Sequence, residues 1–70
     1  MDILVFKTNL SSKNRIRQVR SSLDVHPHIY QWNVDLNDHE NILRVIVNNI
    51  EGKEVENLVL SAGYYCEELQ

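Results

Sequence analysis

At 70 residues and a net charge of −3, with 43% hydrophobic and 24% charged residues, the chain is neither disordered nor long enough for more than one domain with a thin core and no deep active-site cavity. A single cysteine, Cys66, cannot make an internal disulfide. No apolar run approaches the roughly 20 residues that span a bilayer.

With no basic-plus-apolar start either, the expected setting is the cytoplasm and no membrane partner is expected. Stability for this size is expected to be roughly 3–5 kcal/mol. Charge is unevenly spread: residues 7 to 20 carry Lys7, Lys13, Arg15, Arg17 and Arg20 with no acid, whereas residues 51 to 70 carry five glutamates and one lysine. The overall sign makes nucleic acid a poor partner, while the basic side suits a protein with an acidic surface.

Taken in chain order, Ile3 to Thr8 reads as a central strand, apolar on both faces. Ser11 or Ser12 can cap a helix from Lys13 to about Leu23, with Ile16, Val19 and Leu23 on one side. Lys13 and Arg15 then sit in its first turn, where cations oppose the helix dipole. Pro27 ends that segment. Ile29 to Leu36 follows as a strand with Trp32, Val34 and Leu36 on its buried face. A polar turn, Asn37 to Asn41, leads into a strand from Ile42 to Val47, making a hairpin. Val55, Leu58, Val59 and Ala62 recur at helical spacing within Lys53 to Ala62. Gly63 fits the left-handed position beyond, and Tyr64 to Leu69 is a last strand.

The order βαββαβ predicts an α+β, ferredoxin-like sandwich, its four-stranded antiparallel sheet ordered 4-1-3-2 with both helices on one face. That places the loop Asn9 to Ser12, the hairpin tip around His39 and the Gly63-Tyr64 turn at one end. It also predicts that Leu4 and Phe6 share the helix-free face with Ile42, Arg44 and Ile46 if Val5, Val45 and Val47 point to the helices. Leu4, Phe6, Ile42 and Ile46 would then form an apolar patch suited to weak homodimerisation.

The strand ILVF, the helix pattern Ile16-Val19-Leu23, the stretch WNVDL, the strand LRV and the closing Ala62-Gly63-Tyr64, taken together, resemble the heavy-metal-associated domain of copper chaperones and metal-transporting ATPases over nearly the whole chain. The resemblance implies a Met-x-Cys-x-x-Cys loop, whose two thiolates hold univalent copper or zinc. Counting back from Ile16, the two cysteine positions fall on Leu10 and Lys13 and the methionine on Thr8. Leucine has no donor atom and an ammonium repels a cation, so the expectation is a domain without the family's metal site and without a cofactor, beyond weak adventitious metal binding. Elsewhere, His26-x-His28, His39 beside Asp38 and Glu40, and Cys66 are the remaining metal-ligating residue types, read as a solvated pair, a polar turn and a buried apolar residue.

Other uses of the topology fit less well. VFKTNL resembles one signature of RNA-recognition motifs, with Phe6 at the base-stacking position, but ILRVIV lacks the aromatics of the second. Acylphosphatases cradle phosphate at this loop with glycines and an arginine, whereas TNLSSK has no glycine. With no nucleophile-base pair or paired carboxylates, an enzyme is not expected. The expected function is a non-catalytic binding or interaction module, docking a partner through the first helix and its loop. Its candidate binding residues are Asn9, Leu10, Ser11, Ser12, Lys13, Arg17, Arg20 and Tyr64. The alternative is a regulatory domain holding a small anion or metal ion at the loop end.

Overall fold

A computed structural model describes residues 1–69. The elements are β1 (Asp2–Thr8), α1 (Lys13–Asp24), β2 (Ile29–Val34), β3 (Leu43–Val47), α2 (Gly52–Ser61) and β4 (Cys66–Glu68). Every strand pairing is antiparallel, in the order β2-β3-β1-β4. This is the predicted ferredoxin-like topology read from the opposite edge. α1 packs over β2, and α2 packs over β4 and against α1.

Local chemistry sets the element ends. Ser12 is extended and its hydroxyl accepts the Arg15 N–H, so it caps α1. Gly63 takes φ +97°. There its N–H reaches the Leu60 carbonyl at 2.9 Å and the Tyr64 N–H reaches that of Val59 at 3.2 Å, the pair of bonds that closes a helix with a left-handed glycine. β2 stops at Val34, two residues short of the expected Leu36, because the Asp35 carboxylate accepts the Asn37 N–H and turns the chain. Leu36 is consequently exposed rather than part of the buried face. β4 is similarly shorter than expected: Tyr64 is used in the helix cap, and the Tyr65 N–H bonds the Asn9 side chain instead of the ladder.

The core lies between the sheet and the helices, where Phe6, Leu43, Val45 and Val47 meet Val19, Leu23, Val55 and Val59. This corrects the predicted sheet faces. Phe6 pairs with Leu43 and Leu4 with Val45, so both β1 residues face the helices, and Phe6 is 0% exposed. The open face carries Ile3, Val5 and Lys7 from β1 beside Arg44 and Ile46 from β3. The inward setting of Val45 and Val47 agrees with expectation. The shift of one residue on β1 removes Leu4 and Phe6 from the supposed homodimer patch. Ile42 is buried as well. Of the four patch residues Leu4 and Phe6 face the helices and Ile42 offers almost no surface, which leaves Ile46, and Phe6 has no surface on which to stack a base.

Candidate functional site

Three segments converge at one end of the sheet, as their order in the chain requires. Thr8 is the hub. Its N–H donates to the Glu40 carbonyl at 3.0 Å, its hydroxyl donates to the Asn41 carbonyl at 2.7 Å, and the same hydroxyl accepts the Leu10 N–H at 3.0 Å. The Asn9 side chain accepts the Tyr65 N–H at 2.8 Å, joining the loop to the segment after Gly63. Two asparagines, Asn41 at φ 45° and Asn49 at φ 65°, take the left-handed turn positions that asparagine tolerates better than most residues.

The loop is closed upon itself. Leu10 is 0% exposed and belongs to the core, so it fills the space under the loop instead of facing a ligand. Its neighbours spend their amides internally: the Ser11 N–H bonds the Asn9 carbonyl at 2.9 Å, and the Arg15 N–H bonds the Ser12 hydroxyl at 3.2 Å. Of the candidate set, Asn9, Ser12 and Tyr64 hold the loop together, Leu10 is core, and Ser11 is exposed.

Arg15 belongs to this site although it lies outside the candidate set. Its guanidinium folds back to the Asn9 carbonyl at 2.9 Å and lies 6.0 Å from the centre of the Tyr64 ring. A cation in the first turn of a helix, against the dipole, was the available signal; here it latches the loop.

Lys13, Arg17 and Arg20 do come together, but along the helix rather than over the loop. They form one wall of a groove of ≈ 690 Å³ between α1 and β2, with Trp32 and Val34 among the residues opposite. Trp32 donates its ring N–H to the Asp24 carboxylate at 2.7 Å, tying the far end of α1 to β2. No ion pair engages Lys13, Arg17 or Arg20 among the described residues. Lys7, by contrast, pairs with Glu67 at 3.4 Å, and that hydrogen bond raises its pKa. The Tyr65 hydroxyl, followed by Lys7, holds the Glu67 carboxyl below its ordinary value.

The other metal-ligating residue types are dispersed. His26 accepts the His28 N–H on Nδ1 at 3.1 Å and meets the Glu54 carboxylate through Nε2, so both its ring nitrogens are engaged. His39 is an exposed turn residue. Among the described residues, no three His, Cys, Asp or Glu side chains are grouped so that they could hold a metal ion.

Cys66 is buried and free. Burial first, then the neighbouring Glu56 and Glu68 carboxylates, push its thiol from the ordinary 9.0 up to about 12. The reactive thiolate is therefore about a thousandfold scarcer at neutral pH than in an unperturbed thiol. Alkylation by iodoacetamide should be about a hundredfold or more slower than in the urea-unfolded chain, the small unfolded fraction at roughly 3–5 kcal/mol setting the limit, as mass spectrometry over time would show. The folded state keeps a proton that the unfolded state loses, so stability is full below about pH 9 and falls as the pH rises towards about 12. A Cys66→Ala variant should show a shallower alkaline slope in urea titrations, the part due to Lys7 and Tyr65 remaining.

No protein-family model matches the chain, and no curated protein matches it. Solved structures do match, at low identity. A copper-binding domain from HMA7, a P-type ATPase, superposes with a TM-score of 0.84 at 15% identity, over 100% of this chain and 96% of that one. The copper(I)-loaded first domain of the human copper chaperone for SOD1 gives 0.78 at 20% identity, over 94% and 89%. The Atx1-Cu(I)-Ccc2a complex gives 0.81 at 13% identity, over 97% and 94%. The chain thus has the fold of the heavy-metal-associated copper domains. No helix among the described residues is long and apolar enough to cross a membrane.

Proposed function

We propose that this domain is a non-catalytic docking module on the heavy-metal-associated fold, which recognises an acidic protein partner through the flank of α1 instead of holding copper at the loop. The observation that carries this reading is the row Lys13, Arg17 and Arg20, lined up on one groove wall without ion pairs among the described residues. At about 100° per residue the three fall within an arc of roughly 60°. Two of the remaining cations are already engaged, Lys7 by Glu67 and Arg15 by the loop and Tyr64. The loop offers no comparable surface, because Leu10 is buried there and the Arg15 guanidinium is folded back onto the Asn9 carbonyl.

Protein docking on this fold has a parallel in the similar Atx1-Cu(I)-Ccc2a structure, which is itself a complex. The single buried thiol suits a reducing compartment, and the cytoplasm is the proposed setting.

Reversing all three charges, Lys13→Glu, Arg17→Glu and Arg20→Glu, tests the reading. The positions are exposed, so circular dichroism and the urea midpoint should stay close to wild type. Association with an acidic partner recovered from cells should slow by tenfold or more, because steering by a one-sign patch is lost. Wild-type association should slow similarly at about 0.5 M salt, where screening leaves a Debye length of only about 4 Å. Rates that respond to neither change would move the docking surface to the open sheet face.

A further inference from the structure

The geometry points to strand addition: the partner presents an extended acidic segment that pairs with the free edge of β2, its acidic side chains meeting Lys13, Arg17 and Arg20. This deepens the docking reading above and rests on it.

The two edges of the sheet are unlike. β4 is three residues long and carries Glu67 and Glu68. Short length and charge are the usual protection of an edge against pairing with another chain. β2 is six residues, IYQWNV, with neither a charge nor a proline. Its irregularity lies between Ile29 and Gln31, leaving Gln31 to Val34 regular. Asp35 donates its N–H across to Ile42 at 2.8 Å. The alternation of an antiparallel ladder therefore turns the N–H and C=O groups of Trp32 and Val34 to the unpaired side.

These outward amides belong to residues whose side chains pack on the helix side of the sheet, and both line the groove beneath α1. A fifth strand laid there would direct every second side chain towards the same groove. Such side chains repeat at about 6.6–6.8 Å. Along α1, Lys13 to Arg17 is about 6 Å of rise and Arg17 to Arg20 about 4.5 Å. Long flexible cations bridge that mismatch, so acids at alternate positions of the added strand can each meet one. Backbone pairing supplies affinity, and the charge row selects the acidic sequence and its register.

An end-blocked nonapeptide of alternating glutamate and threonine is the probe, titrated into the whole chain by NMR and by the emission of Trp32, the sole tryptophan. The Trp32 and Val34 amides should shift and gain protection from hydrogen exchange. Glutamine in place of glutamate should weaken binding at least tenfold. N-methylation of the peptide amides that would face β2 should do the same, since it removes the ladder donors and leaves the charges.

Absence of binding overturns strand addition. So does equal binding of the N-methylated peptide, with shifts confined to α1; in that case a folded acidic surface still docks and the charge-reversal test decides the broader reading separately. Self-association through β2 that shuts the peptide out, detected by sedimentation, overturns it as well.

Discussion

Leu10→Ala should cost this domain about 3 kcal/mol, within the roughly 2–5 kcal/mol that truncating a buried leucine costs. Leu10 is fully buried and packs within the core cluster, so its loss removes apolar burial and leaves a cavity that the short loop, pinned by the Thr8 and Asn9 hydrogen bonds, cannot collapse into. For a chain expected to have only about 3–5 kcal/mol in total, that is most of the stability. With a urea slope of about 1 kcal/mol per molar for so small a domain, the midpoint should fall by about 3 M. Two neighbouring variants set the scale: Ser12→Ala removes a helix cap and should cost about 1 kcal/mol, while Ser11→Ala, at an exposed position, should stay within about 0.5 kcal/mol. A Leu10→Ala midpoint no lower than that of Ser12→Ala would show that the loop is a surface feature, and a ligand site there would have to be reconsidered.

The second large effect concerns copper. Univalent copper prefers soft thiolate ligands, and the single thiol, Cys66, is buried with its pKa pushed up to about 12. At the loop, the position expected for one thiolate is a buried leucine and that for the other is Lys13. A cation within about 4 Å of that ammonium meets a repulsion on the order of 4 kcal/mol at an effective dielectric of 20, close to a thousandfold in affinity. Competition against a copper-selective chelator under reducing conditions should strip the chain of metal completely, with the Leu10 and Lys13 amide resonances unmoved. Retention of one copper per chain, with those resonances shifting, would overturn the proposed loss of the metal site.

The succession of elements was legible in the amino-acid sequence because local physics fixes it. Pro27 stops a helix wherever it stands, Gly63 relieves the left-handed step at which its own N–H bonds Leu60 and that of Tyr64 bonds Val59, and Ser12 supplies a cap oxygen. Right-handed crossovers did the rest, giving the sheet order and bringing Asn9, Asn41 and Tyr65 to one end. The basic row on α1 could also be read, since its spacing depends only on the helical period.

The faces of β1 could not be read. Ile3, Leu4, Val5 and Phe6 are all apolar, so alternation carries no phase, and only pairing of Phe6 with Leu43 decides which two point to the helices. Leu10 was hidden for a related reason: a leucine within a polar loop has the same local signature whether it faces solvent or the core, and its burial follows from α1 and the sheet closing over it. Arg15 has its partners at Asn9 and Tyr64, six and forty-nine positions away. The open edge of β2 beside the cations is a matter of which strand ends up outermost and which helix lies above it, and no local segment of the chain contains that information.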